Sequence, residues 1–439
     1  MELAISALFL SLAGVILSIT AFFLPTIFVC LILFIYCGYL GLIPRDILGV
    51  FTTENMLVLA SLMTIPSLVN ARHRYGALAD AKYLALFPLT MLALALFGLC
   101  MPTLRGESSL ALAFVEGKQF ILYVFTIYCI FTASKFQTNV IFLAVLSCAM
   151  ILAIEVIAFR FTGIYPPGFL PVLNDSSINT SSIHIMYPQV ISGALFLIHG
   201  FRLHKKSPIY SIFCIPILLA GLLLQDHFSI LVITLAVYFA HLTGLTSAVA
   251  RSLGRLFFIG FILISLVFIQ LIDSNPQLIL PQSEYILALQ SRFDIGFNRI
   301  AYFLERPWFG YGFIHEASSL GTKFSWLSKG IHDLRLGTVD SGILDLLLRF
   351  GIVGLLIALT SFAYFCRKLI SVGPTRTLPL NLLIAGFSIM IVTWSMLSYL
   401  HGIIFISIVV LFSLNPLGSR SNCPLLHIRK SRQKTNSVP

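Results

Sequence analysis

Residues 139–160 read NVIFLAVLSCAMILAIEVIAFR, a stretch that is apolar almost throughout. A transmembrane helix needs about 20 consecutive apolar residues, because the hydrocarbon core of a bilayer is about 30 Å thick. This stretch therefore predicts a membrane-spanning helix. Two ionisable side chains, Glu155 and Arg160, lie near its end. Ionisable groups inside a span are functional candidates by default.

Similar apolar runs recur along the whole chain. Of its 439 residues, 58% are hydrophobic and only 10% are charged, whereas a soluble domain carries about 25% charged residues. These proportions exclude a soluble protein and predict an all-α polytopic membrane protein of about 12 (12–13) transmembrane helices. The runs cover 5–23, 26–42, 55–69, 84–101, 111–132, 139–160, 184–201, 209–224, 229–248, 256–272, 341–365, 379–398 and 402–415.

The positive charges predict the orientation of these spans. The net charge is +11, and Lys and Arg concentrate in short segments between apolar runs, which the positive-inside rule places in the cytoplasm. This pattern explains the charge without nucleic acid, which is not expected as a partner. The chain divides into 1–272 (N-terminal membrane helices), 273–340 (a large non-cytoplasmic loop with short helices, before the last three spans), 341–415 (C-terminal membrane helices) and 416–439 (a basic cytoplasmic tail).

The segment 273–340 is a candidate functional region. It lacks long apolar runs, its positive and negative charges nearly cancel, and it is rich in aromatic residues. Loops of this length are usually functional or disordered, and disordered segments are poor in aromatics. The alternative is a solvated linker.

Arginines at a fixed spacing mark one part of this segment. Apolar positions in 288–306 recur every three or four residues, which is typical of an amphipathic helix. Arg292, Arg299 and Arg306 are seven residues apart and therefore lie along one stripe of that helix. Such a stripe suits a diphosphate, because each guanidinium can make bidentate contacts. The alternative is a solvated basic face.

Residues on either side of the next loop are further candidates. Pro307 is expected to end the helix, and Gly310 and Gly312 permit a tight turn. Asp340 is either a helix N-cap or a base that activates an acceptor. His332 is either a second candidate base or a simple surface group. The eight cysteines show no metal-binding spacing, so no metal or cofactor is expected.

One pair of charges lies inside the next apolar run. Asp345 and Arg349 are four residues apart, at the start of the stretch that follows Asp340. An ionisable group within a span is a functional candidate. The alternative is an ion pair between successive turns of one helix.

The stretch 291–354 resembles the signature region of the O-antigen ligase and O-antigen polymerase family of bacterial inner-membrane proteins. That region has an Arg, then a Pro and Gly-x-Gly, then a dipeptide that opens a helix ending in Gly-x-x-Gly. The matching residues here are Arg292, Pro307, Gly310 with Gly312, Asp340-Ser341, and Gly351 with Gly354. The family has a His where this chain has Asp340, which favours a polymerase over a ligase that uses that His as base.

The resemblance implies a glycosyltransfer at the periplasmic face of the bacterial inner membrane. The donor would be a glycan on undecaprenyl diphosphate, and the enzyme would work without a metal. Arg292 would hold the diphosphate with Arg299 and Arg306, while Asp340 or His332 would serve as base. Trp308 and Tyr311 could stack on sugar rings, and the alternative is that they pack the loop. A chain-length regulator is a further candidate partner, besides the lipid bilayer itself.

Three functions follow as hypotheses. The first is a polymerase of capsule or exopolysaccharide repeat units. The second is an O-antigen ligase, which would transfer the glycan to lipid A-core. The third is a transporter or flippase, although such proteins usually show two similar halves, which this sequence does not.

Overall fold

The computed structural model describes residues 2–37, 53–72, 79–163, 188–224, 231, 234–235, 237–238, 302–315, 317–319, 342–372, 397 and 400–415. Within these ranges the chain is mostly helical and contains no strand. The described α-helices are numbered in chain order: α1 Glu2–Phe23, α2 Pro25–Tyr36, α3 Thr53–Leu62, α4 Ile65–Arg72, α5 Ala79–Leu104, α6 Leu110–Gly117, α7 Leu122–Thr132, α8 Thr138–Thr162, α9 Pro188–Gly200, α10 Leu203–Lys206, α11 Ile215–Leu223, α12 Gly342–Val372 and α13 Leu400–Leu414.

Four helical segments are long and apolar enough to cross a membrane: Lys82–Leu104, Leu110–Lys135, Thr138–Thr162 and Asp345–Ser371. The prediction of an all-α chain with apolar helices of membrane length is confirmed for these segments. The total of about 12 spans stays a prediction. The runs 229–248, 256–272 and 379–398 lie wholly or largely outside the described residues.

Contacts between distant parts of the chain mark the two ends of the helix bundle, which we call the upper end and the lower end. At the upper end, Lys118 Nζ lies 3.0 Å from Glu54 Oε2. At the lower end, the backbone N–H of Gln137 donates to Thr26 Oγ1 (2.9 Å), and Asn415 Nδ2 donates to the carbonyl of Ala133 (2.9 Å). The segment Leu110–Lys135 therefore runs from the upper end to the lower end.

Helix α13 runs parallel to α7 and packs closely against it. Its first N–H, of Leu400, donates to Gln119 Oε1 (3.2 Å), and its last turn reaches the lower end through Asn415. The side chains at this interface are mainly apolar and fully buried. The hydroxyl groups of Thr126 and Ser407 hydrogen-bond to each other within it (2.8 Å). Such pairs of small polar residues are common between membrane helices.

Helices α5 and α12 form an antiparallel pair. Near the lower end, Lys368 Nζ lies 4.9 Å from the centre of the Tyr83 ring. Near the upper end, a Cβ atom added to Gly98 would lie only 2.9 Å from the ring of Phe350. The missing side chain at Gly98 thus allows the two helices to approach closely. The candidate site lies at the upper end of this pair.

Candidate functional site

A loop with the sequence RPWFGYGF, residues 306–313, lies between α5 and α12 at the upper end. We call it the Gly-x-Gly loop. It follows a helical turn at residues 302–305, which ends before Pro307. That ending agrees with the prediction from the sequence, because proline disfavours helical conformation in the residue before it.

The Gly-x-Gly loop occupies a break in α12. Gly351 has φ 67° and ψ −171°, so α12 consists of two helical parts, 342–350 and 352–372. Such a break leaves carbonyl groups without partners on one side and N–H groups without partners on the other. Within a membrane these groups must be satisfied by protein, because no water is present to replace the lost hydrogen bonds.

The loop supplies the partners on both sides of the break. The N–H groups of Tyr311 and Gly312 donate to the carbonyl oxygens of Leu348 and Arg349 at 2.8 Å each. In the other direction, the N–H of Ile352 donates to the carbonyl of Pro307 at 2.8 Å. The N–H of Val353 donates to the carbonyl of Trp308 at 3.2 Å. The loop backbone therefore replaces hydrogen bonds that an unbroken helix would make with itself.

The same loop also hydrogen-bonds to α5, at a carbonyl group that has no helical partner because of a proline. In a helix the carbonyl of Gly98 would accept a hydrogen bond from residue 102, but Pro102 has no N–H to donate. The N–H of Phe313 donates to the Gly98 carbonyl instead, at 2.8 Å. The Phe313 ring is fully buried. Arg105 Nη1 adds a hydrogen bond to the carbonyl of Gly310 (3.2 Å).

Glycine is required at three positions of this contact. Gly310, Gly312 and Gly351 all have positive φ, a region that side chains rarely adopt. A Cβ on Gly351 would lie 2.2 Å from the carbonyl oxygen of Trp308, and one on Gly310 would lie 2.5 Å from that of Leu348. Gly310 and Gly351, one from each sequence motif, thus lie at one close backbone contact, while Gly312 approaches α5 at Gly98 and Pro102.

Arg306 closes the loop with an ion pair. Its Nη1 donates to Glu107 Oε2 at 2.8 Å, and its Nη2 donates to Glu107 Oε1. The guanidinium also lies over the Tyr311 ring, 4.6 Å from its centre. The hydrogen bonds to Glu107 raise the pKa of Arg306 above its ordinary value. The pair holds the loop against the residues that follow α5.

Tyr311 is buried beneath this ion pair, with only 2% of its surface exposed. Its hydroxyl lies 3.0 Å from both Glu305 Oε2 and the carbonyl oxygen of Tyr302, and it donates to either. Burial and the hydrogen bond to Glu305 raise the pKa of the Tyr311 phenol. The phenol therefore stays neutral at physiological pH.

Asp345 and Arg349 form a second, more deeply buried pair in the first part of α12. Arg349 Nε donates to Asp345 Oδ1 at 2.6 Å, and the Arg349 guanidinium lies 5.1 Å from the centre of the Phe313 ring. The alternative drawn from the four-residue spacing, an ion pair within one helix, is therefore confirmed. Asp345 Oδ2 is buried and has no hydrogen-bond partner among the described residues.

The structure describes three of the seven predicted site residues. Arg306 already has a carboxylate partner, so a diphosphate would compete with Glu107 for the same guanidinium. Trp308 is 63% exposed and offers a free ring surface, whereas Tyr311 is buried. The other four, Arg292, Arg299, His332 and Asp340, lie outside the described residues. Their roles stay predictions.

Glu107 and Pro102 were not identified from the sequence. Glu107 lies 199 residues before its partner Arg306, and no local pattern connects the two. Pro102 did carry a signal, because a proline near the end of an apolar run releases a carbonyl that needs another donor. Among the described residues, no group of three or more His, Cys, Asp or Glu side chains could hold a metal ion.

No protein-family model matches the chain, and no curated protein sequence matches it. The arrangement at the upper end is therefore interpreted from its own chemistry. It combines a rigid backbone contact, a half-buried Arg306–Glu107 pair and an exposed Trp308. A rigid scaffold that presents an exposed aromatic ring beside charged groups is suited to binding a polar ligand at the membrane surface.

Proposed function

We propose that the protein is a metal-independent glycosyltransferase of the bacterial inner membrane. It would polymerise oligosaccharide repeat units carried on undecaprenyl diphosphate into a surface polysaccharide or exopolysaccharide. In this proposal about 12 helices span the membrane, the upper end faces the periplasm and the C-terminal tail is cytoplasmic. A chain-length regulator is a candidate partner.

One observation carries the proposal. Gly310 and Gly351, one from each of the two motifs that resemble the O-antigen ligase and polymerase family, lie at the same close backbone contact at the upper end. Residues far apart in the sequence thus act as one structural unit. The unit lies at the end of an apolar helix pair, which is where the headgroup of a lipid-linked substrate would be found.

The proposed chemistry requires a clamp for the diphosphate and a base. The acceptor hydroxyl oxygen attacks the anomeric carbon of the donor, and the bond from that carbon to the diphosphate oxygen breaks. The lipid diphosphate leaves with the electron pair, stabilised by arginine. Arg292 is the first candidate for this role and Arg299 the second. Arg306 ranks below them because it already forms an ion pair with Glu107. The hydroxyl proton passes to a base, Asp340 or His332.

The exposed ring of Trp308 would support a sugar at this surface. Its backbone carbonyl is held by the N–H of Val353, so the side chain projects from a fixed position. Sugar rings stack on exposed aromatic faces because their C–H surface is apolar. Tyr311 would instead support the loop from below, since its ring is covered by Arg306.

Transport is the second candidate function. The break in α12 is the observation that favours it, because discontinuous membrane helices are a common feature of secondary transporters. In transporters, however, the broken ends generally face a substrate site near the bilayer midplane. Here the Gly-x-Gly loop already satisfies backbone groups on both sides of the break.

The test is to replace Arg292 with Ala in the native host and to separate lipid-linked and surface glycans by size. The control is Lys135→Ala, which removes an exposed positive charge at the lower end. Immunoblots confirm equal protein levels. The variant Arg292→Lys keeps the positive charge but cannot make the bidentate contacts of a guanidinium group. If the protein is a polymerase, the Arg292→Ala variant is expected to lose long polymer and accumulate single repeat units, whereas the Lys135→Ala control is not.

Other outcomes would select other functions. Long chains that remain on undecaprenyl diphosphate without reaching lipid A-core would identify a ligase. Repeat units that accumulate on the cytoplasmic side, inaccessible to an added periplasmic glycosidase, would identify a transporter. An unchanged glycan profile would reject Arg292 as part of the site.

A further inference from the structure

Two lysines converge on one tyrosine at the lower end of the α5–α12 pair. The Nζ of Lys82, in the first turn of α5, lies 5.2 Å from the centre of the Tyr83 ring. The Nζ of Lys368, near the end of α12, lies 4.9 Å from the same centre. The ring is 41% exposed. These three residues are called the Lys-Tyr-Lys cluster.

Among the described side chains, the positive charge of the cluster has no balancing carboxylate. No Asp or Glu in the described part of the chain forms an ion pair with Lys82 or Lys368. Both ammonium groups lie about 5 Å from the same ring centre, so they are no more than about 10 Å apart, close enough for one anion to attract both. The face of an aromatic ring attracts a cation by only about 0.5–1 kcal/mol at an exposed site. An anion beside the ring would balance the charge of both.

Local helix energetics do not explain the position of Lys82. A positive charge in the first turn of a helix is disfavoured by the helix dipole. Membrane topology requires basic residues on one side of the membrane but not their convergence on a single ring. Arg367, also exposed, adds a third positive charge to the same end of α12.

The depth of the cluster identifies the kind of anion. Lys82 lies just before the apolar run 84–101, and Lys368 lies just after the apolar run 341–365. The boundary of the apolar segments is where the phosphates of the lipid headgroups lie. Tyrosine is enriched at this boundary because its ring is amphipathic. Basic pockets between membrane helices bind anionic lipid headgroups.

We propose that Lys82, Tyr83 and Lys368 form a binding site for an anionic phospholipid in the leaflet at the lower end. Its phosphate is attracted by both ammonium groups, and its acyl chains follow the outer surface of α5 and α12. The site does not depend on the proposed glycosyltransfer, since it is at the opposite end of the same helix pair. It anchors the end of α12 whose other end carries the Gly-x-Gly loop.

The test is native mass spectrometry of the purified full-length chain titrated with dioleoylphosphatidylglycerol, with dioleoylphosphatidylcholine as the uncharged comparison. The test variant is the double substitution Lys82→Gln and Lys368→Gln. The matched control is Lys205→Gln with Lys206→Gln, which removes the same charge from two exposed lysines of another segment. The double variant Lys82→Arg and Lys368→Arg keeps the charge.

Affinity for phosphatidylglycerol is expected to fall about thirtyfold in the Lys82/Lys368 Gln variant, which corresponds to about 1 kcal/mol for each of two lysines near an anionic surface. It should fall less than about twofold in the control and in the Arg variant. Equal losses in the two Gln variants would overturn the proposal in favour of general electrostatic attraction. An unchanged affinity in all variants, or equal binding of both lipids, would also overturn it. Melting without added lipid confirms that the variants are folded, and the single variant Lys368→Gln replaces the double one if it is not.

Discussion

The contacts of α12 with the Gly-x-Gly loop and of α13 with α7 hold helices together in different ways. At the loop, four hydrogen bonds join backbone groups to backbone groups across the break at Gly351. At the α7–α13 interface, apolar side chains pack together and the main polar contact joins two hydroxyl groups, of Thr126 and Ser407.

The difference predicts different tolerance to substitution. A side-chain interface can adjust its rotamers, so changes that conserve volume usually cost little. A backbone interface has no rotamers to adjust, and an added Cβ must displace the main chain itself. We therefore expect the loop contact to be the more fragile of the two.

The largest effect is expected from Gly351→Ala. The new Cβ would require a positive φ and would lie 2.2 Å from the carbonyl oxygen of Trp308, so the free energy of unfolding should fall by more than about 4 kcal/mol. Gly163→Ala is the control, because Gly163 also has positive φ (66°) but has nothing within 4 Å of its Cβ position. Its cost should be about 1–2 kcal/mol, from backbone strain alone.

Thermal unfolding of the two variants in detergent measures this difference. If Gly351→Ala unfolds at the same temperature as Gly163→Ala, the break in α12 is not sterically constrained. The distinction between the two interfaces would then fail.

The Asp345–Arg349 pair should rank second. Asp345→Leu leaves the Arg349 guanidinium buried without its carboxylate, and the loss of one partner of a buried pair costs about 3–5 kcal/mol. The double variant Asp345→Leu with Arg349→Met removes both charges and should recover most of this loss. Unfolding by a denaturing detergent compares the two. A double variant as unstable as the single one would mean that Arg349 stabilises the protein mainly through other contacts.

A smaller effect is expected at Glu107. Glu107→Gln weakens a two-pronged pair with Arg306, whose two side chains are 17% and 29% exposed, and should cost about 1–2 kcal/mol. The control, Glu54→Gln, weakens the contact with Lys118, in which Glu54 is 29% exposed, and should cost less than about 1 kcal/mol. Proteolysis of the Gly-x-Gly loop should accelerate only in the Glu107 variant. Equal cleavage rates would show that the Arg306 pair does not hold the loop.

The smallest effect is expected at the α7–α13 interface. Ser407→Ala removes the hydroxyl partner of Thr126, and hydrogen bonds between membrane helices contribute about 0.6 kcal/mol on average. Ser371→Ala, at an exposed position of α12, should have no measurable effect. A loss at Ser407 as large as that at Gly351 would show that side-chain and backbone interfaces are equally sensitive in this protein.

The sequence predicted the helices better than their interruptions. The run 139–160 corresponds to α8, and 341–365 corresponds to most of α12, because hydropathy averages over many residues. The break at Gly351 could not be predicted this way, since its neighbours remain apolar. Only the approach of a distant carbonyl, that of Trp308, explains why a glycine is needed there.

The candidate site was predictable where partners are close in sequence. The spacing of Asp345 and Arg349 already indicated an ion pair, because residues four apart are neighbours on a helix. The partner of Arg306 could not be deduced, because Glu107 comes from another part of the chain. The resemblance implied that both Trp308 and Tyr311 contact sugar, but only the ring of Trp308 is exposed, while Tyr311 is buried.

The hydrogen bond between Phe313 and Gly98 has a consequence for how the protein is made. Pro102 leaves the Gly98 carbonyl without its helical partner from the moment α5 enters the bilayer, and the donor belongs to a segment translated much later. Arg105 and Gly310 at the same contact are 205 residues apart, which corresponds to about 10–40 s of synthesis at ordinary translation rates. During that interval α5 must stay near the translocation machinery or borrow a temporary donor. A chain that ends before residue 313 would therefore lack the donor that satisfies the Gly98 carbonyl in the folded protein.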